Sequence, residues 1–524
     1  MGLLGAYFAN WAQYHTAPYT HTPDMLAPIA GKTGAFYYGF VYFCPQASTS
    51  PMPYWAVAPF GDCTAATEYE LVTVDPKDDA FMKTITGYKA QNPSLKVIVS
   101  IGGWNFPSSY FSEMASTSAN RAKFIASVKA FISQHGLDGV DIDWEYPCSP
   151  ARSDPVKITC DQFRSVADKG GSCPQDTANL LSLAQELRAA LGNSSYISIA
   201  SQAAKDNWEA MNIGAVTPYI DHWHVMTYDY SVPDVRGGST MSPNAPLHTP
   251  AAADATQMSI EYTVEGYLAA GVPASKIMVG IPFYGHTWYK PDMAPAAWHA
   301  FGGKGEVQGE CCGPFKSTYG AKPGLGSHQC GVLAYNEVVA SSAAAVTYHD
   351  NATQSDVAYF TSDAASGMAS KGTWVTYADK PSIAAITDYS NAKRLAGIFI
   401  FDTSMDTLSS AGTFTYELMN QIADGLAPSP PSPSPGPSPT PSGCPGGSLS
   451  ACMSACPSQP LAAYKACVAD CAKRCPHQQP RQPQPQPPQQ KPQPPQQKPQ
   501  PPQQKQVLVE EAPRVRLDWF GASW

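Results

Sequence analysis

The first 425 residues predict an α/β fold, a (β/α)8 TIM barrel with an inserted small α+β domain. Three observations lead there. Eight short runs rich in β-branched and aromatic residues alternate with helical stretches. Several runs are apolar almost without a break, as parallel strands covered on both faces require. The gap before the last run is far too long for a single helix.

The runs are LLGAYF (3–8), AFYYGFVYF (35–43), LKVIVSI (95–101), GLDGVDID (136–143), YISIAS (196–201), HWHVMTY (222–228), KIMVGIPFY (276–284) and AGIFIF (396–401). Amphipathic stretches such as RAKFIASVKAFISQH and TANLLSLAQELRAAL lie between them. Eight strand–helix units favour a barrel over a doubly wound sheet, and the length suits a barrel with insertions. The barrel is assigned to 1–285 and 386–425, and the α+β insertion to 286–385, where GVLAYNEV and GTWVTYAD read as further β-like pieces.

Beyond Leu426 the composition changes. APSPPSPSPGPSPTPSG makes 426–443 a Pro-rich linker, extended in polyproline II form. A short disulfide-rich helical module follows at 444–476. Its cysteines, Cys444, Cys452, Cys456, Cys467, Cys471 and Cys475, contain two i, i+4 pairs. That spacing puts two thiols on one helix face. Nested pairing of Cys444 with Cys475, Cys452 with Cys471 and Cys456 with Cys467 suits two antiparallel helices. Zinc is the weaker alternative, since structural zinc sites favour closer spacing and histidine. The module is read either as a unit that docks on a wall polymer or a partner, or, as evenly, as a stability cap or spacer. Residues 477–506 repeat PPQQK from positions 487, 494 and 501 and are expected to be disordered. The 507–524 segment reads as a disordered tail.

The chain carries 43% apolar and 14% charged residues and a formal charge of −9. That balance argues against nucleic acid as a partner, because phosphate binding draws on clustered Lys and Arg. No apolar run reaches about 18 residues, so no membrane span is expected. The opening MGLLGAYFANW enters a strand-like segment with no basic region, apolar stretch or cleavage site. Yet the 14 cysteines cluster, which favours disulfides and an oxidising compartment. The expectation is an extracellular or exported protein, virion export included, whose leader is absent from this chain or never existed. Two sequons, at Asn193 and Asn351, would be usable in a secreted protein.

The stretch LDGVDIDWEYP (137–147) is the most informative. Asp138, Asp141, Asp143 and Glu145 crowd into a segment otherwise built like a buried strand. Side chains alternate along a strand, so Asp141, Asp143 and Glu145 share one face and Val140, Ile142 and Trp144 the other. The inward face at the C-terminal end of a barrel strand points into the active site. Stacked carboxylates cannot all ionise cheaply, so one proton is held and shared. Glu145, nearest the mouth, is the candidate general acid, with Asp143 and then Asp141 behind it. Asp138 has the wrong parity and reads as structural. A metal site is the weaker alternative, because one in-line strand face makes a poor cage for a hard cation. No metal and no cofactor is expected.

DGVDIDWE resembles the DxxDxDxE signature of family 18 glycoside hydrolases, the chitinases. Ser100-Ile101-Gly102-Gly103 is similar to the family's third-strand SxGG run, and Met226-Thr227-Tyr228-Asp229 resembles the sixth-strand MxYD run. GVPASKIMVGIPFYG resembles the seventh-strand segment, and the insertion resembles that of the deep-cleft subfamily. The likeness implies retaining hydrolysis of β-1,4-linked N-acetylglucosamine in chitin, assisted by the substrate. Glu145 would protonate the leaving oxygen, and the sugar's acetamide would attack C1. Asp143 would hold the acetamide N–H, with Asp141 behind it, and Tyr228 would fix the acetamide carbonyl. Gly103, Met226 and Asp229 would line the same subsite. Tyr7, Trp11, Phe40 and Tyr284 are the expected aromatic platforms. Trp104 and Trp288 are as easily explained by core packing. Two departures stand out: Phe401 where the family carries Trp, and His286 where the seventh-strand motif carries Arg. The rival readings are a non-hydrolytic chitin-binding lectin, which would lack the acid at 145, and an endo-β-N-acetylglucosaminidase acting on glycoproteins.

Overall fold

The computed structural model describes residues 2–426 apart from 16, 46–62, 64–67, 149–152, 160–161, 168–174, 233–240, 250–257, 290–331 and 366–368. The linker, cysteine module, repeat and tail expected after 426 lie outside the described residues.

Eight parallel strands close on themselves. They are Leu3–Ala9, Ala35–Phe43, Lys96–Gly102, Gly139–Asp143, Tyr196–Gln202, His222–Met226, Ile277–Pro282 and Gly397–Phe401. Each pairs with its neighbour in chain order, and the first pairs with both the second and the last. All eight coincide with the expected runs. The register sets Ser100 beside Asp141 and Asp141 beside Ser198, so inward positions of three adjacent strands lie at one level. A short strand, Leu71–Val72, adds antiparallel to the second.

Helices cover the outside. Ser118–His135 starts where the Thr117 hydroxyl accepts from the Asn120 N–H, and it ends at Gly136 with φ +65°. These are ordinary N- and C-terminal caps. Its buried Phe124, Ile125, Val128 and Phe131 face the barrel core. Gln175–Leu191 buries Leu180, Leu183 and Leu187 in the same way.

Between the seventh and eighth strands lies a separate five-stranded antiparallel sheet, ordered Val332–Ala334, Tyr284–Tyr289, Thr373–Tyr377, Ser355–Phe360 and Ala345–Asp350. It begins at Tyr284, two residues before the expected insertion. The helix Lys380–Lys393 begins inside that expected insertion. Among the described residues of GVLAYNEV, Val332–Ala334 is strand. Tyr335–Ala340 turns helical, with the Glu337 carboxylate accepting the Ala334 N–H at 2.9 Å. A backbone hairpin, Ser153–Thr159 with Gln162–Ala167, follows the fourth strand and was not foreseen.

Candidate active site

The fourth barrel strand is buried at every position. Its acids are almost wholly withdrawn from water, at 0% exposure for Asp141, 4% for Asp143 and 7% for Glu145. Val140, Ile142 and Trp144 take the opposite parity and join the core. The Trp144 indole donates to Ser108 Oγ at 2.8 Å and stacks on Phe111. The Ser108 hydroxyl in turn donates to the Tyr146 carbonyl at 2.9 Å. Glu145 therefore sits between two anchored neighbours, and the Tyr146 hydroxyl is hydrogen-bonded to it.

Asp141 is clamped from four strands. Tyr7 and Ser100 hydroxyls donate to Oδ2, each at 2.7 Å, the Ser198 hydroxyl donates to Oδ1 at 2.6 Å, and His224 Nδ1 lies 3.2 Å from Oδ1. Burial alone would raise its pKa, but His224, Ser198 and Ser100 outweigh it and hold the carboxyl below its ordinary value. Asp143 is the reverse case. Burial first, then the charges of Glu145 and Asp141, drive its pKa far upward. Its Oδ1 finds no hydrogen-bond partner among the described residues. The row thus sets a carboxyl whose charge is favoured at its foot below one whose charge is disfavoured, the pattern like-charge stacking produces. Among the described residues no group of three or more His, Cys, Asp or Glu is arranged to hold a metal ion.

Gly102 and Gly103 bring the third strand against this row. Both have positive φ, +110° and +87°, which favours glycine. A Cβ on Gly102 would lie 2.3 Å from the Asp143 carbonyl, and one on Gly103 would lie 2.8 Å from the Phe40 ring. Asp138 lies apart, accepting the Val97 N–H at 2.7 Å and pairing with Lys89 at 2.6 Å.

A second cluster comes from the sixth and seventh strands. Tyr228 packs edge-on against Tyr284 and Phe399, and Gly280 leaves room for its ring. Its hydroxyl makes no hydrogen bond to any described residue. Burial, then Asp229 and the acidic row, keep it protonated by raising its pKa far above the usual phenol value. Asp229 has φ +58°, and its N–H donates to Asn244 Oδ1 at 2.9 Å. Its Oδ1 receives the Tyr284 hydroxyl and His286 Nε2, both at 2.7 Å. His286, the departure from the seventh-strand motif, is therefore a buried strand residue holding Asp229. Met226 is half-buried beside Gln202.

The aromatic residues divide. Trp11 stacks on Phe40 with centroids 5.8 Å apart and leans on Phe401 at 6.4 Å, and all three line one wall. Tyr7 and Tyr284, expected as open platforms, are closed in at 2% and 1% exposure with their hydroxyls committed to Asp141 and Asp229. Tyr7 lies on a strand, level with Tyr37, so packed rings cover it. Trp104 is half-buried next to Gly103. Trp288 belongs to the core of the inserted sheet with Trp374 and Tyr359.

Three members of the site escaped the sequence reading: Ser198, His224 and Tyr146. Ser198 and His224 meet Asp141 through the register of neighbouring strands, which no local sequence pattern announces.

The model of glycosyl hydrolases family 18 matches residues 4–406. The chain belongs to that family. Chitinase A1 of Niallia circulans is 33% identical over 213 residues, 38% of this chain and 28% of that protein. Endochitinase 1 of Metarhizium robertsii is 29% identical over 285 residues, 52% of this chain and 57% of that one. The matches thus span less than two thirds of these relatives' own length. The fold is that of the Ostrinia furnacalis Group IV chitinase, at TM-score 0.62 and 23% identity, covering 81% of this chain and 100% of that one. Human YKL-39, a pseudo-chitinase with retained chitooligosaccharide binding, superposes with TM-score 0.62 at 20% identity, over 81% and 100% of the two chains.

Proposed function

We propose that this protein is a chitinase, hydrolysing β-1,4 linkages between N-acetylglucosamine units with retention and with the substrate's own acetamide as nucleophile. Most retaining glycosidases use a second carboxylate for attack, and family 18 is an exception. One observation carries the reading: three buried carboxyls stand in a row, Asp141 held by Tyr7, Ser100, Ser198 and His224, and Asp143 between it and Glu145 with its pKa raised by burial and by both neighbours' charges.

Glu145 gives its proton to the glycosidic oxygen as the C1–O bond breaks. The acetamide oxygen bonds to C1, and the resulting oxazolinium carries a positive charge. Asp143 accepts the acetamide N–H and stands beside the positive charge as it develops on the sugar. Tyr228 donates its free hydroxyl to the acetamide carbonyl. Asp229 and Met226 border the same subsite, with Tyr284 and His286 fixing the Asp229 carboxylate. Glu145, now a carboxylate, takes a proton from water as that water opens the ring, which restores the starting state. Trp11, Phe40 and Phe401 offer apolar ring faces to the sugars.

The Cys44–Cys63 disulfide, and the disulfide-bonded Cys148, support export to an oxidising compartment. Among the described residues no helix is long and apolar enough to cross a membrane.

Glu145→Gln tests the assignment. It is expected to bind chitooligosaccharides as the parent does and to lose on the order of 10²–10⁴ in rate. Near-parental turnover would remove Glu145 from the chemistry. A parent protein that binds without cleaving would place the chain with the lectins.

A further inference from the structure

Below the acidic row the barrel is filled by a polar chain that the hydrolytic scheme leaves unused. His224 is wholly buried between Asp141 and Tyr196. Its Nδ1 is 3.2 Å from Asp141 Oδ1 and 3.1 Å from the Tyr7 hydroxyl, and its Nε2 is 3.1 Å from the Tyr196 hydroxyl. Tyr196 is itself held, by His222 Nδ1 at 2.9 Å and the Tyr37 hydroxyl at 2.9 Å. Tyr196 and His222 open the fifth and sixth strands, so they stand at the foot of the barrel, away from the mouth. The other ring faces of His224 meet Tyr37 and Phe399. The titratable groups around it are therefore Asp141, Tyr7, Tyr37, Tyr196 and His222.

One tautomer satisfies this set. Tyr7 already gives its proton to Asp141, so Nδ1 has no donor facing it and must carry a hydrogen toward the carboxylate. In the neutral ring Nε2 then accepts the Tyr196 O–H. Tyr196 in turn accepts from His222 or Tyr37. With the ring proton on Nε2 instead, Asp141 would lose its N–H donor and Tyr196 would have to turn its hydroxyl away.

We propose that His224 is the positioning residue of the acidic row: Tyr196, held by His222 and Tyr37 at the barrel's foot, fixes the imidazole proton on Nδ1, and that proton keeps Asp141 anionic. The inference rests on the reading of the row as the catalytic centre. It adds a dependence of that centre on side chains which touch neither substrate nor the acids above. A protonated Asp141 could not force the shared proton upward, so the acid limb of kcat reports its charge.

The experiment is the pH profile of kcat and KM on a soluble chitooligosaccharide for the full chain, with Glu145→Gln as a control. His224→Leu removes the donor and is expected to move the acid limb toward neutral pH by about one unit, with kcat affected and KM not. His224→Asn, whose amide can reach Asp141 from the Nδ1 position, should restore the limb to near its original place. Tyr196→Phe keeps ring and volume and frees the tautomer, so the limb should move the same way by a smaller amount. This variant keeps the test open if His224→Leu does not fold. Unmoved limbs in Tyr196→Phe and His224→Leu, or equal shifts in the Asn and Leu variants, would overturn the proposal while an inactive Glu145→Gln left the catalytic reading standing. An active Glu145→Gln would remove the catalytic reading itself.

Discussion

Ser198→Ala probes how the row's lowest charge is held. The substitution deletes one oxygen from a buried site and leaves the strand's geometry alone. The hydroxyl lost is the shortest of the donors to Asp141, at 2.6 Å, and Tyr7, Ser100 and His224 remain. A hydrogen bond to a charged group contributes about 1.5–3 kcal/mol. A loss of about 2 kcal/mol corresponds to about 1.5 pKa units on Asp141. The sign follows from the depressed pKa of Asp141 in the fold. Such a carboxylate stabilises the protein above its unfolded pKa, and that contribution is lost as pH falls through the folded value. Ser198→Ala should therefore cost about 2 kcal/mol in urea unfolding near neutral pH and much less in acid, where Asp141 is protonated in both proteins. The acid limb of kcat should shift upward in parallel. Equal stabilities near neutrality together with an unmoved limb would refute the claim that this hydroxyl holds the charge.

Further outcomes follow from other parts of the site. Phe401→Leu keeps an apolar group but removes a flat face next to Trp11 and Tyr7. Aromatic contacts are worth about 0.5–1.5 kcal/mol beyond area, so KM for chitooligosaccharides should rise about 2- to 10-fold with the kcat limbs unmoved; an unchanged KM would take the ring out of the binding wall. Asp402 is fully buried, its Oδ2 lacks a partner among the described residues, and burial raises its pKa from 3.8 to about 6. An acid raised in this way stabilises the fold below its unfolded pKa and loses that contribution as pH climbs through about 6. Asp402→Asn should accordingly raise stability by about 1–3 kcal/mol above that window and leave it unchanged well below it, measured by thermal unfolding at both ends. A gain equal at the two ends would show that ionisation of Asp402 is not its cause.

The parts of the protein legible in the sequence were those written in one strand's own period. All eight barrel strands could be read because buried parallel strands are near-continuous apolar runs. The shared face of Asp141, Asp143 and Glu145 could be read because alternation has period two. What the sequence hid is set by closure of the barrel. Ser198 and Ser100 meet Asp141 only because the register aligns three strands, and no local pattern in YISIAS or LKVIVSI announces it. Tyr7 looked like a platform because aromatic residues at strand ends often open into a cleft, yet Tyr37, Phe40 and Phe401 close around it. His286 could not be placed from its neighbours in sequence, since its partner Asp229 comes from another strand. The first residue of the inserted sheet is hidden for a related reason. Tyr284 continues an apolar run, but its strand already pairs with Val332–Ala334.

The most direct measurement is the anomeric form of the first products released from chitohexaose. Attack by the substrate's acetamide opposite the leaving group, followed by water on the face the leaving group vacated, requires β-anomeric products ahead of mutarotation, with their formation lost in Glu145→Gln. Release of the α-anomer would mean that water attacks C1 directly, and the acidic row would then need another mechanism.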